Sequence, residues 1–221
     1  MEDLETILLQ GTLSLGTKSL KVDIKLRNGD RVAILGANGS GKTSLLDTIA
    51  GVNTLSNEYR HGSFGELPIA YAVQESAIGL LPWLSIIDNI LLPATLQSKR
   101  DSMLATAIDS LKSFGLSHRS EDYPHQLSGG EKQLVNLARC CCTPSNMVLM
   151  DEPFSALNAQ VKPAAASLLL SKCENATSII VSHDPEDLSL FAKKVYILES
   201  GEMKTCSGVE EGVAWLRNKT S

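Results

Sequence analysis

Aromatic residues are scarce in this 221-residue chain, at 5% of the total. No stretch approaches the roughly 20 consecutive apolar residues that a membrane-spanning helix needs. The longest apolar runs are broken by Pro, Asp and Ser, so any attachment to a membrane is expected to run through another protein. Positive charge is not in excess either. The formal net charge of -5 supplies no general attraction for phosphate polymers, and nucleic acid is not an expected partner. Five cysteines, an odd number with no CxxC spacing, argue against a disulfide framework. Cys140, Cys141 and Cys142 are contiguous, and adjacent helical residues point in different directions, so the three do not converge easily on one metal ion. Their expected role is that of small buried side chains. The opening residues Met1-Glu2-Asp3-Leu4-Glu5 are acidic where an export signal is positive, which predicts a cytosolic chain. Repeats, low-complexity tracts and interdomain linkers are also missing.

What is present suffices for one core, since 43% of the residues are hydrophobic. Leu20-Lys21-Val22-Asp23-Ile24-Lys25-Leu26 alternates strictly. With Thr6-Ile7-Leu8-Leu9 before it and the turn Asn28-Gly29-Asp30 after it, it predicts an antiparallel edge with one wet face. Val32-Ala33-Ile34-Leu35, Met147-Val148-Leu149-Met150 and Ser178-Ile179-Ile180-Val181 are short apolar runs of the kind buried in parallel sheets. Val195-Tyr196-Ile197-Leu198 reads as a later strand. Helical patterns fall at about 43–50, 101–114, 129–142, 159–172 and 185–192. The alternation of strand and helix implies an α/β fold with a mainly parallel sheet flanked by helices. The expected organisation is a single domain, with residues 1–75 and 131–221 as its core and about 76–130 as a helical insertion.

Gly36-Ala37-Asn38-Gly39-Ser40-Gly41-Lys42-Thr43 matches G-x-x-x-x-G-K-[ST] between a buried strand and a helix. Its glycines let backbone N–H groups converge on phosphate oxygens. Lys42 would reach the β and γ phosphates, and Thr43 would offer its hydroxyl to Mg²⁺. An ordinary Gly-rich turn would not need the Lys-Thr ending. The strand Met147–Met150 delivers Asp151 and Glu152 at its carboxyl end, where α/β sheets bind ligands. Two carboxylates there need a cation or a partner. Asp151 would sit near the metal through water, and Glu152 would polarise a water that attacks the γ-phosphate. Leu127-Ser128-Gly129-Gly130-Glu131-Lys132-Gln133 opens a helix with Ser and two Gly, a second helix end suited to anions. Read by itself, this pattern is equally a plain Ser N-cap.

Taken together and in order, these segments resemble the ABC ATPase family of P-loop NTPases over nearly the whole chain. Gly36–Thr43 matches Walker A, Gln74 in Ala72-Val73-Gln74-Glu75 the Q-loop, and Leu127–Gln133 the LSGGQ signature, with Glu131 in place of Gln. Asp151 and Glu152 match Walker B, Ser155-Ala156-Leu157-Asn158 the D-loop, and His183 in Val181-Ser182-His183-Asp184 the switch histidine. The resemblance implies an ATPase that binds ATP and Mg²⁺, paired with a second ATPase subunit or with a copy of itself. Each ATP would lie between Gly36–Thr43 of one subunit and Ser128, Gly129 and Gly130 of the other. Gln74 would contact Mg²⁺ or water, and His183 the γ-phosphate. The catalytic set is then Glu152, His183 and Lys42, and the metal set is Thr43, Gln74 and Asp151.

Three departures from the family pattern stand out. Residues 1–35 contain no Phe, Tyr or Trp, and Leu15 stands where relatives stack an aromatic ring on adenine. Asn158 replaces the usual Asp of the D-loop, keeping hydrogen bonding and losing charge. Leu134 stands where Arg is common. Gly79–Ile90 with Trp83, Tyr123-Pro124-His125-Gln126 and Pro153–Leu157 is similar to bacterial importers of the nitrate, sulfonate and taurine group. That likeness implies transmembrane permease partners, a solute-binding protein reached indirectly, and a location on the inner face of the membrane. Trp83 would either receive the permease or fill the insertion's core. The short tail after 198 predicts no added regulatory domain. The rival readings are an exporter or lipoprotein-release ATPase, a soluble ABC ATPase, and a P-loop kinase, which would not require Ser128-Gly129-Gly130 or His183.

Overall fold

In the strand that alternation predicts, Leu20, Val22, Ile24 and Leu26 are each at most 2% exposed, and the intervening Lys21, Asp23 and Lys25 face solvent. One face is therefore apolar and buried, the other charged and wet. The computed structural model describes residues 6–15, 18–52, 56–61, 69–74, 79–174 and 176–220. The acidic start Met1–Glu5 and Glu75 of the Gln74 motif lie outside them.

In chain order the elements are β1 (Thr6–Leu15), β2 (Lys18–Arg27), β3 (Arg31–Gly36), α1 (Lys42–Ile49), β4 (Ser56–His61), β5 (Ile69–Ala72), α2 (Ile86–Leu96), α3 (Arg100–Ser113), α4 (Gly129–Cys142), β6 (Met147–Asp151), α5 (Lys162–Cys173), β7 (Thr177–Val181), α6 (Pro185–Phe191), β8 (Lys194–Glu199), β9 (Glu202–Thr205) and α7 (Val209–Thr220). The chain forms two compact units, one within 1–67 and 175–221, the other within 68–174.

In the first unit the strands run β4-β1-β2-β9-β8-β3-β7. β1 pairs antiparallel with β2, setting Leu9 beside Ile24 and Leu13 beside Leu20. β3 pairs parallel with both β7 and β8, and Val32–Leu35 are each at most 1% exposed, as expected of a strand covered on both faces. β2 has its wet face but is not an edge: β1 flanks it on one side, and β9, through Lys21 and Glu202, on the other. The turn into β3 uses Gly29 at φ +80. There the Asp30 carboxylate accepts from the Arg27 N–H at 2.8 Å and pairs with Lys194 at 2.5 Å.

In the second unit β5 and β6 are parallel, with Ile69 opposite Met147 and Ala72 opposite Met150. Around them α4 packs against α2, α3, α5 and β5, burying Leu134, Val135, Leu137 and Ala138. Cys140, Cys141 and Cys142 are buried with them. α5 begins at Lys162, later than the apolar pattern predicts. The Asn158 side-chain oxygen accepts from the N–H groups of Gln160 and Val161, both at 3.1 Å, and this Asx turn occupies the preceding residues. α2 is capped by Ser85, whose hydroxyl accepts from Asp88 N–H at 3.3 Å. Buried Asn89 folds the loop before it: its amide donates to the carbonyls of Leu81, Leu84 and Ser85, each at 3.0 Å. Trp83 projects from that loop at 69% exposure, so it does not fill a core.

Candidate functional site

β3 and β7 run in parallel register, Ile34 opposite Val181. Their carboxyl ends therefore deliver Gly36 and His183 to the same edge of the first unit. A loop between a buried strand and a helix must turn sharply, and Gly39 at φ +73 and Gly41 at φ +100 supply that turn. Gly36 is there for space. A Cβ on it would lie 2.5 Å from Ser40 Oγ and 2.9 Å from the Leu198 carbonyl oxygen of β8. Ala37, Asn38 and Gly39 are exposed, and nothing lies within 4 Å of a Cβ built on Gly39. The Lys42 ammonium is folded back across the loop, donating to the carbonyls of Gly36 at 2.9 Å and Ala37 at 3.0 Å.

The fit of a phosphate to this loop can be judged from its polar atoms. Ser40 Oγ is buried and has no hydrogen-bond partner among the described residues. A buried hydroxyl without a partner is a group that a bound ion or water can satisfy, here beside a helix N-terminus that carries no acidic residue in its first turn. These donors fit an anion. Leu15 flanks the loop, its Cδ1 2.5 Å from a Cβ built on Gly41. Aliphatic surface from Leu15 therefore adjoins the cradle. His183 is exposed. It is framed by Ser182, whose hydroxyl donates to Asp187 Oδ2 at 2.7 Å, and by Asp184, which caps α6 by accepting from Glu186 N–H at 2.8 Å.

In the second unit β5 and β6 do the same for another set. Their register places Gln74, two residues past Ala72, and Asp151-Glu152, just past Met150, at one carboxyl edge. Asp151 is 1% exposed; Glu152 is half-buried and Gln74 exposed. Glu152 sits at φ +47, a left-handed backbone that costs a non-glycine residue of order 1 kcal/mol. Its carbonyl accepts from the N–H of Ser155 at 3.2 Å and from its hydroxyl at 3.0 Å, which ties it to the start of Ser155–Asn158. Gln133, buried on α4, donates to the Pro153 carbonyl at 2.8 Å. It thereby fixes the backbone one residue beyond Glu152, a role that its place inside the signature pattern did not reveal.

Ser128 caps α4, its hydroxyl accepting from Glu131 N–H at 3.3 Å while Glu131 Oε2 accepts from Ser128 N–H and Oγ, both at 2.8 Å. This closes a capping box. The bonds from Ser128 N–H, then from its hydroxyl, and the nearby Arg119 charge hold the Glu131 carboxyl below its usual range. Arg119 Nη1 reaches Glu131 Oε1 at 3.1 Å and its Nε reaches Asp122 at 2.7 Å. Residue 131 thus carries a paired negative charge where the family pattern has a neutral amide. Gly129 has open space in place of a Cβ, and a Cβ on Gly130 would come within 3.1 Å of the Ala156 carbonyl oxygen. The signature turn and the Ser155–Asn158 loop are therefore in close contact. Gly36–Thr43 and His183 thus share one unit; Gln74, Ser128, Gly129, Gly130, Asp151 and Glu152 share the other.

Residues 20–155 match the ABC transporter family. The aliphatic sulfonates import ATP-binding protein of Paracoccus denitrificans (strain Pd 1222) is 36% identical over 182 residues, covering 81% of this chain and 72% of that protein. The sulfate/thiosulfate import ATP-binding protein of Escherichia coli (strain K12) is 33% identical over 205 residues, 86% of this chain. This chain spans little more than half, 56%, of that second relative. Among solved structures, a dimeric post-hydrolysis state of an ATP-binding cassette bound to ADP and Pi superposes with a TM-score of 0.75. That match covers 92% of this chain and 99% of the other at 22% identity, and it establishes the fold alone. The ordered motifs, the P-loop architecture and these likenesses agree: the chain belongs to the ABC transporter family and is one of its ATPase subunits.

Proposed function

We propose that the chain binds Mg-ATP on Gly36–Thr43 and hydrolyses it to power an importer of the sulfonate and sulfate kind, working as a pair of ATPase subunits beneath transmembrane permease subunits on the inner face of the membrane. The observation that supports this best is the loop Gly36–Thr43, whose buried, orphaned Ser40 hydroxyl and open Gly39 face answer to a phosphate. Lys42 exchanges its loop carbonyls for the β and γ phosphates, because a charge-assisted bond to phosphate is stronger than one to a neutral carbonyl. Thr43, Gln74 and Asp151 would hold Mg²⁺, which when bound neutralises phosphate charge. Glu152 accepts the proton of the attacking water. His183 donates to the γ-phosphate. Ser128, Gly129 and Gly130 offer a helix N-terminus to the ATP held by the paired subunit.

Trp83, displayed at 69% exposure on a loop that Asn89 rigidifies, supports contact with the permease. The names of the two import relatives support import, and a solute-binding protein would then deliver the cargo. The experiment is Glu152→Gln, with ATP binding, steady-state ATPase and oligomeric state followed together. Binding should persist, turnover should vanish and an ATP-bound dimer should accumulate. Equal turnover by variant and parent would refute the assignment.

A further inference from the structure

A buried side-chain amide must find partners for both of its ends. Asn136 of α4 is 0% exposed, and its partners are specific. Its Nδ2 donates to the carbonyl of Val73 at 3.1 Å, the residue just before Gln74. Its Oδ1 accepts from Arg139 Nη2 at 2.9 Å. Arg139, one turn further along the helix, uses its other terminal nitrogen, Nη1, to donate to the carbonyl of Gly79. The four residues form one tight knot: a Cβ built on Gly79 would lie 3.0 Å from Arg139 Nη2, 3.2 Å from Val73 Cγ2 and 3.7 Å from Asn136 Oδ1. The helix that begins at Ser128 therefore holds the chain on both sides of Gln74 through backbone carbonyls, which leaves the Gln74 side chain itself uncommitted to the knot.

We infer that Asn136 and Arg139 are positioning residues that fix the place of Gln74 relative to the Ser128 end of α4, so that Gln74 acts in turnover only while this knot is closed. The inference rests on the reading of Gln74 as a contact to Mg²⁺ or its water. One bond to Val73 and one to Gly79, both from one turn of the helix, leave the segment that carries Gln74 little room to drift at either end, and drift of about 1 Å at a reacting group can cost as much as a hundredfold in rate. Neither bond involves Gly36–Thr43, so nucleotide affinity should not follow.

The test uses Asn136→Asp, which keeps size and the bond from Arg139 but replaces the donor to Val73 with an acceptor. Steady-state ATPase of the full chain is compared with that of Gln74→Ala and of the double variant. The expected result is a kcat about tenfold lower for Asn136→Asp with KM for ATP within about twofold, and no further loss when Asn136→Asp is added to Gln74→Ala. Independently of activity, amide exchange in the nucleotide-free protein should rise several-fold in the peptide carrying Val73 and Gln74. Multiplied losses in the double variant, or unchanged exchange, would overturn the inference while leaving the role of Gln74 standing. Normal turnover by Gln74→Ala would instead overturn that role and the inference with it. Should Asn136→Asp fail to fold, Gly79→Ala disturbs the same knot from outside α4, and the same pair of readouts decides.

Discussion

Replacing Glu131 by Gln restores the common signature residue, and the structure predicts that it weakens the fold. The carboxylate sits in the first turn of α4, accepts two bonds from Ser128 and faces Arg119. Glutamine can still accept from the Ser128 N–H, so the capping box survives. Lost are the negative charge at the helix N-terminus and the ion pair, since the new amide hydrogens face the guanidinium, donor against donor. A negative charge in a first turn contributes about 0.3–1 kcal/mol when solvent-screened, so about 0.5 kcal/mol is expected here, a fall of about 1–2 °C in Tm for a domain of this size. The pH dependence identifies the cause. Glu131 has a lowered pKa in the folded chain, so the unfolded state binds the proton more readily. The contribution is therefore complete above the ordinary glutamate range and disappears as pH falls through the folded value. Urea midpoints measured from pH 7 down to about pH 2.5 should show a constant deficit for Glu131→Gln that begins to close only below the ordinary glutamate range, about pH 4.3, and shrinks towards the acid end. A deficit that stays constant to the acid end, or a variant more stable than its parent at pH 7, would refute the account.

Gly36→Ala should lower ATP affinity about tenfold, because the added methyl meets the β8 backbone at 2.9 Å. The hydroxyl of Ser40 can turn away but the carbonyl of Leu198 cannot, and overpacking of about 1–3 kcal/mol must displace the loop. Calorimetric titration with ATP decides, and unchanged affinity would sink the close-fit argument. Of the five cysteines, only half-buried Cys206 should react with a thiol reagent at neutral pH before unfolding. Burial shields Cys140, Cys141, Cys142 and Cys173 and pushes the thiols of Cys140 and Cys142 up to about 12; a second reactive thiol in the native chain would contradict this. Gln133→Leu should cost no more than about 1–2 kcal/mol of stability, since the Pro153 carbonyl loses its buried donor while removal of an Oε1 that has no partner among the described residues offsets part of that loss. Its kcat should nevertheless fall as the backbone beyond Glu152 loosens. A variant that melts far earlier, or turns over normally, would show the tether to be misread.

The elements legible in the sequence are those whose burial is uniform along their length. β3, β6 and β7 are covered on both faces, so their apolar runs needed no context, and the wet face of β2 was printed in its alternation. β5 and β9 carry no such record. Ile69-Ala70-Tyr71-Ala72 alternates only between large and small residues. Glu202–Thr205 is polar and mostly exposed, held as a strand by the turn at Ser200 and Gly201, φ +54 and +81, that folds it back on β8. Propensity could not announce either strand, because the partner strand supplies the reason for each. The candidate site divides in the same way. Gly36–Thr43, Asp151-Glu152 and Ser128–Gly130 were readable because each is local chemistry: a turn, a strand end, a cap. Gln133, Asn136 and Arg139 were not, since each is a polar residue on a buried helix whose meaning lies in a backbone carbonyl distant in sequence, at Pro153, Val73 or Gly79. A polar residue that interrupts an apolar helix face is nevertheless a signal. Burial without a bond would cost it about 1–3 kcal/mol, so where such residues recur at turn spacing along the helix that follows Ser128, they mark the face on which that helix holds loops rather than merely packs.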